Sequence, residues 1–88
     1  MNIQGKLTQV TTPENGTSKA GKDWIKCQAI IETDGQYPKN IAITIMKEAL
    51  ISEIASKRLG EVVSLECNIE SREHNGNWYS DISLWKIN

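Results

Sequence analysis

The spacing of the hydrophobic residues changes its period once along this chain, and that change limits the folds open to it. Through most of the sequence apolar residues recur at every second position, which is typical of β-strands with one buried face. Across residues 46–59 the period becomes about 3.6, as in an amphipathic helix. Glu48 in the first turn and Gly60 just beyond the end agree with helix start and stop chemistry. The sequence therefore predicts strands on both sides of one short helix.

Five segments carry the alternating pattern of a strand. They are residues 3–10, 24–32, 39–45, 63–70 and 78–87. Residues 11–23 are rich in turn-forming types and are predicted to be a long loop, while Asn75 and Gly76 form a strong hairpin signal between the last two strands. Gly5 is interpreted as a bend or bulge in the first strand.

Three strands, a helix and a terminal hairpin are the element order of the OB-fold. We therefore predict an all-β fold with one short helix: a five-stranded Greek-key OB-fold barrel with the helix between strands 3 and 4. The length of 88 residues predicts a single domain over residues 1–88. An SH3-like small barrel is the alternative, although it normally lacks a helix at that place.

Charge and cysteine usage narrow the function classes. The net charge of −1 argues against a protein that coats duplex DNA by bulk attraction, yet residues 1–47 hold six lysines against four acids. Cys27 and Cys67 lie in apolar alternating runs, which predicts buried thiols rather than a disulfide. We predict no metal and no other cofactor. No apolar run is long enough for a membrane span, which predicts no membrane partner and a cytoplasmic location.

A stretch that resembles a nucleotide-binding loop does not satisfy that motif. Residues 16–22 match most of the Walker A pattern, but Asp23 stands where Ser or Thr would hold magnesium. A strand pattern, not a helix, follows. No nucleophile and base pair emerges elsewhere, so we predict that the protein is not an enzyme.

Several stretches in combination resemble one known family. They are residues 16–22 followed by Trp24 and Lys26, then Glu32 with residues 35–39, then residues 69–73, and finally Asn75, Gly76, Trp78, Tyr79, Asp81 and residues 85–87. The chain resembles a family of short single-domain proteins of Bacteroidetes and their phages that are regarded as OB-fold single-stranded-DNA binders. The likeness is weakest across residues 42–59, where family members often have an aromatic strand end and this chain has Thr44, Ile45 and Met46.

The resemblance implies a non-catalytic, sequence-tolerant single-stranded DNA-binding protein with a role in replication, recombination or repair. RNA remains an alternative ligand, and replication or recombination proteins are expected partners. An exposed edge strand could support a homo-oligomer. The rival function is a protein-interaction module, because OB-like barrels also bind peptides and fold alone does not decide.

Sequence-tolerant binding of unpaired bases requires flat aromatic rings for stacking and cations that follow the phosphates. In OB-folds these come from strands 2 and 3 and from the loops joining strands 1 to 2 and 4 to 5. The candidates at such positions are Lys19, Lys22, Trp24, Lys26, Tyr37, Lys39, Arg72 and Trp78. Trp24 is the principal candidate, because strand parity places it outward beside Lys26.

The candidates also have structural alternatives. Trp78 shares the parity of the core positions in the last strand, so burial is as well supported as stacking. Arg72 could pair with Glu70, Glu73 or Asp81. Tyr79 and Trp85 are interpreted as packing or rim residues. The alternative for Lys19 and Lys22 is that they are solvated surface charges.

Overall fold

The computed structural model describes residues 1–88 and contains six strands and one helix. They are β1 (Asn2–Val10), β2 (Glu14–Thr17), β3 (Asp23–Glu32), β4 (Asn40–Ile45), α1 (Glu48–Ala55), β5 (Val62–His74) and β6 (Asn77–Ile87). Five of the strands correspond to the five predicted from hydrophobic alternation, and β2 is additional.

The strands close into a barrel. Their order is β1-β5-β6-β4-β3, and β1 pairs back to β3. Every pairing is antiparallel except that of β4 with β6, which is parallel at Thr44 and Ser83. With α1 between β4 and β5, this is the Greek-key arrangement of the OB-fold, so the predicted fold is confirmed.

The core is formed by the inward residues of the strands together with two residues of the helix. These are Ile3, Leu7, Cys27, Ala29, Ile31, Ile43, Ile45, Ile51, Ile54, Val63, Leu65, Cys67 and Leu84. Each fully buried aliphatic side chain contributes about 1.5–3 kcal/mol. Both cysteines are buried and unpaired, as expected, and burial raises the pKa of each thiol.

Gly5 marks a close approach of two strands rather than a bulge. A Cβ atom on Gly5 would overlap the carbonyl oxygen of Glu32 and lie 2.9 Å from Cγ2 of Ile31. The bulge of β1 lies further along, between Leu7 and Gln9. The absence of a side chain at Gly5 therefore lets β1 and β3 pack closely enough to close the barrel.

The helix is shorter than the periodicity predicted. α1 runs from Glu48 to Ala55, because Lys47 keeps an extended backbone and the residues after Ser56 form turns. Ile51 and Ile54 are buried. Met46 and Leu59 lie outside α1, so assigning them to the helix was wrong, and both are exposed. No basic residue lies in the last turn.

The segment predicted to be a long loop is mostly a β-hairpin. β2 pairs with the start of β3, from Glu14 opposite Lys26 to Thr17 opposite Asp23. The Ser18 N–H donates to the carbonyl oxygen of Lys22 at 2.7 Å and closes the turn. Residues 14–26 therefore form a two-stranded unit, called the β2–β3 ribbon below. The prediction of an unstructured connection was wrong because its strand is too short and polar to show alternation.

The predicted hairpin at Asn75 and Gly76 is confirmed. Their φ angles are 52° and 80°, as a two-residue type I′ turn requires. The two strands extend well beyond the barrel, and residues 70–81 are all exposed. Residues 69–82 are called the β5–β6 arm below.

Candidate nucleic-acid interface

A groove of about 610 Å³ lies between the β2–β3 ribbon and the β5–β6 arm. Polar residues from three neighbouring strands of the barrel line it: Gln28, Thr44 and Ser83. Gln28 is opposite Thr44, and Thr44 is opposite Ser83, so the three form one row across the outer surface of the sheet. The groove thus combines an open polar floor with two projecting β-hairpins as walls.

Charged side chains line both walls of the groove. Lys26 and Glu14 come from the ribbon, and Arg72, Glu70 and Asp81 come from the arm. Glu14 is directly opposite Lys26, and Glu70 directly opposite Asp81, and opposed residues of antiparallel strands share a face. The groove is therefore lined by two cations and three carboxylates, and each wall carries charges of both signs.

Trp24 and Lys26 lie side by side on the outer face of the ribbon, where strand parity predicted them. The Trp24 side chain is partly covered and 37% exposed. The Lys26 Nζ atom lies over the indole, 5.6 Å from the ring centroid, which is within the range of a cation–π interaction. An aromatic ring and a cation are thus adjacent on the ribbon, and of the two Lys26 lines the groove while Trp24 lines a neighbouring depression with Gly16.

Lys19 and Lys22 lie in the turn at the tip of the ribbon. The Lys22 backbone N–H donates to the Ser18 Oγ at 3.2 Å, and the turn also contains Gly21 with a φ of 79°. Both lysines are exposed, and neither side chain forms an ion pair. The ribbon therefore carries Lys19, Lys22, Trp24 and Lys26 on a single hairpin.

Tyr37 and Lys39 are not brought together with Trp24. They lie in the connection between β3 and β4, after the far end of β3. Trp24 and Glu32 are separated by eight residues of strand, or roughly 26 Å at about 3.3 Å per residue. Tyr37 is 78% exposed. Any site that includes both Trp24 and Tyr37 must extend along the whole of β3.

Arg72 and Trp78 lie on opposite faces of the arm. Arg72 pairs with Asp81, with 3.6 Å between Nη2 and Oδ2, which settles the choice among its three neighbouring carboxylates. Trp78 is 69% exposed, so the alternative in which it is buried is wrong. It stands opposite Glu73, one residue from Arg72, and successive residues of a strand point to opposite faces. Trp78 therefore does not share the face of the arm that lines the groove.

Sequence reasoning missed Tyr79 and Met46. Tyr79 stands directly opposite Arg72 on the same face of the arm and is exposed. The two-residue turn at Asn75 and Gly76 pairs His74 with Asn77. Counting two residues away from the turn along each strand would have placed Tyr79 opposite Arg72. Met46 follows β4, lines the groove and is exposed, which the predicted helical period concealed.

Trp85 occupies a bulge. Glu66 pairs with Lys86 and Cys67 pairs with Leu84, so Trp85 is the extra residue on β6. It remains exposed at the surface.

The side chains of the protein hold no cluster of three or more His, Cys, Asp or Glu residues placed to bind a metal ion. None of the helical structure is long and apolar enough to cross a membrane.

A family model described as "Domain of unknown function (DUF3127)" matches residues 2–88. No curated protein matches the sequence.

Solved structures of three single-stranded DNA-binding proteins resemble this one. For the mitochondrial protein Rim1 of S. cerevisiae the TM-score is 0.75 at 18% identity, with 100% of this chain and 90% of that chain covered. For the SSB domain of a Synechococcus sp. protein the TM-score is 0.66 at 14% identity, with 99% of this chain and 90% of that chain covered. For the small single-stranded DNA-binding protein from Streptomyces coelicolor the TM-score is 0.55 at 16% identity, with 100% of this chain and 88% of that chain covered. At these identities the likeness establishes the shared fold.

Proposed function

This chain belongs to the DUF3127 family, and we propose that it binds single-stranded DNA without catalysing a reaction. The observation that carries the proposal is the adjacent pair of Trp24 and Lys26, of which Lys26 lines an open polar groove. The pair supplies the two groups that sequence-tolerant binding requires, a ring for bases and a cation for phosphates. The fold is also that of three proteins whose names state single-stranded DNA binding.

In the proposed complex, the nucleic-acid strand enters the groove along the β2–β3 ribbon. One base stacks on the exposed part of the Trp24 indole, an interaction worth about 1–3 kcal/mol. The phosphates on either side follow Lys26 and the unpaired Lys19 and Lys22. These phosphates, on the ribbon side of the groove, lie away from the carboxylates of the arm, which would repel them.

The floor of the groove then receives the next bases. Gln28, Thr44 and Ser83 offer both hydrogen-bond donors and acceptors, which accommodate the edges of any base. Met46 adds the one exposed apolar side chain that lines the groove, and its flexible thioether packs well against flat rings. Arg72, with Tyr79 beside it, forms the far wall and contacts the strand as it leaves the groove.

Two predicted residues lie outside this path. Tyr37 and Lys39 contact only a strand long enough to run the length of β3, so they contribute to longer oligonucleotides. Trp78 contacts DNA only where the strand bends around the arm. We therefore propose Trp24, Lys26, Lys19, Lys22 and Arg72 as the principal contacts.

The wider role follows from the same proposal. Protection of exposed single strands during replication, recombination or repair in the cytoplasm of a bacterial or phage-infected cell would suit a non-catalytic binder of this kind. The origin in Bacteroidetes and their phages, the homo-oligomeric state and the replication or recombination partners stay predictions.

A binding titration tests the proposal. A fluorescently labelled oligo-dT is titrated at about 50 and 200 mM salt, and affinity is read by anisotropy. We expect affinity to fall with salt at a logarithmic slope of about −0.7 per phosphate contacted. Trp24→Ala should weaken binding by about 5- to 30-fold, the lower part of the stacking range, because much of the indole is already covered. Trp24→Phe should retain most of the affinity.

Matched lysine variants provide the control. Lys26→Ala should lower both the affinity and the salt slope, whereas Lys57→Ala, which removes a half-buried lysine outside the groove, should change neither. No association at low salt, or equal affinity in the wild type and Trp24→Ala, would refute the proposal.

A protein-interaction module is the second candidate function, because one face of the arm carries exposed apolar side chains. Ile69 and Trp78 are 51% and 69% exposed on that face. An apolar protein contact responds little to salt. The absence of binding to oligo-dT, together with salt-insensitive binding to a protein, would therefore favour this function.

A further inference from the structure

We infer that Gly16 is a positioning residue that sets the place of the Trp24 indole at the proposed DNA site. Gly16 is directly opposite Trp24 in the antiparallel pairing of β2 and β3. The indole leans across the ribbon so that its Nε1, Cε2 and Cζ2 side lies against this glycine. A Cβ atom on Gly16 would lie 2.7 Å from Cζ2, 2.9 Å from Cε2 and 3.2 Å from Nε1. Any other residue at position 16 would therefore force the ring to move.

The backbone at this position does not itself require glycine. The glycines with positive φ are Gly21, Gly35, Gly60 and Gly76, and each has open space where a Cβ would stand. Gly16 is the reverse case, because it has an ordinary strand conformation and no space. Glycine within a strand weakens it, since it loses more chain entropy and packs no side chain. The contact with the indole is what explains a glycine here.

Two residues of the ribbon consequently border the indole. Gly16 lies against one side of it, and the Lys26 Nζ lies 5.6 Å from the ring centroid. A ring already held in place loses little side-chain freedom when a ligand stacks on it, which favours binding. The inference rests on the proposed function and adds to it: an unpaired base meets a pre-positioned ring, and Gly16 keeps the ring in that position.

Aromatic rings that cover a strand glycine from the neighbouring strand also stabilise the sheet. A purely structural role of that kind would alter the unfolding transition and leave binding by the folded protein unchanged. The test therefore needs a readout of ring position and a readout of affinity, each made on folded protein.

The experiment is a double-mutant cycle with Gly16→Ala, Trp24→Ala and the combined variant. Ring position is followed by the indole N–H resonance of Trp24 in a proton–nitrogen spectrum, assigned by its loss in Trp24→Ala. Affinity is measured by anisotropy with labelled oligo-dT. We expect Gly16→Ala to shift the Trp24 resonance and to weaken binding by about 5-fold, and at most as much as Trp24→Ala does. In the Trp24→Ala background, Gly16→Ala should have no further effect.

A rescue variant keeps the test decisive if Gly16→Ala folds poorly. A phenyl ring is smaller than the indole and has no atom equivalent to Cζ2, the indole atom nearest to the new methyl group at 2.7 Å. Gly16→Ala should therefore be tolerated in a Trp24→Phe background, with affinity close to that of Trp24→Phe alone.

Three results would overturn the inference. The first is an unshifted Trp24 resonance in folded Gly16→Ala. The second is an equal loss of affinity in the wild-type and Trp24→Ala backgrounds. The third is a failure of Trp24→Phe to rescue a poorly folded Gly16→Ala. Wild-type affinity in Trp24→Ala would instead refute the proposed DNA site, and the resonance would still decide whether Gly16 positions the ring.

Discussion

In the proposed complex, the ion pair between Arg72 and Asp81 competes with the DNA phosphate for the Arg72 guanidinium. The Arg72 Nη2 atom is 3.6 Å from Asp81 Oδ2, and the two side chains are 73% and 48% exposed. Glu70 stands opposite Asp81 on the same face. Asp81→Asn removes a negative charge at nearly constant shape and frees Arg72, so we predict that it strengthens binding of single-stranded DNA.

The geometry bounds the size of the effect. Two unit charges at about 4 Å interact by about 1 kcal/mol in bulk water, and exposed pairs typically contribute about 0.2–1 kcal/mol. A phosphate that displaces Asp81 from Arg72 must overcome at most that much. We therefore expect Asp81→Asn to tighten binding by about 2- to 5-fold at low salt. Screening should remove most of the gain at high salt, and stability should change by less than about 0.5 kcal/mol.

The assay is the anisotropy titration at two salt concentrations, with a control of equal net charge. Glu61→Gln removes the carboxylate of the Lys57–Glu61 pair, which has an N–O distance of 3.9 Å and lies outside the groove. It should leave affinity unchanged. Combining Asp81→Asn with Arg72→Gln should abolish the gain. Weaker binding by Asp81→Asn, or an equal gain from Glu61→Gln, would show that local competition for Arg72 is not the cause.

Three further predictions concern stability and the groove floor. Gly5→Ala should lower the free energy of unfolding by about 1–3 kcal/mol, because the new Cβ meets the fixed carbonyl of Glu32. Urea denaturation should show a lower midpoint with an unchanged m-value, and an unchanged midpoint would contradict this close packing. Hydrogen bonds from the side chains of Asn88 and Asn2 lower the pKa of Glu66. The stability contributed by ionised Glu66 is therefore present above the ordinary glutamate pKa and is lost as pH falls through the lowered value. The free energy of unfolding should accordingly fall less between about pH 5 and pH 3 in Glu66→Gln than in the wild type, and parallel pH profiles would refute it. Met46→Ala should weaken oligo-dT binding by about 3- to 10-fold while Met46→Leu retains it, and equal affinities of the two variants would remove Met46 from the site.

The sequence by itself determined the fold and the outward position of Trp24. Alternation with a period of two is a property of neighbouring residues, so it assigns the two faces of a strand before any partner strand is known. The type I′ hairpin at Asn75 and Gly76 was readable for the same reason, because its backbone requires residues that tolerate positive φ. Trp24 and Lys26 needed only strand parity to be placed side by side.

Periodicity was less informative where tertiary contacts override it. Met46 fits the period of the predicted helix, yet the chain around it stays extended and the helix stops at Ala55. β2 is four residues long and contains no apolar side chain, so only its pairing with β3 shows it to be a strand. Local pattern does not report hydrogen bonds made to a distant or short partner.

The tertiary structure alone decided which candidate residues share a site. It separated Tyr37 from Trp24 by the length of β3, placed Trp78 on the far face of the arm, and seated the Trp24 indole against Gly16. These relations depend on strand register, on how far each hairpin extends and on side-chain contacts between strands. Such contacts form between residues on different strands, which the hydrophobic pattern of a single strand does not relate. For this reason the sequence could name candidate residues but could not show which of them lie together.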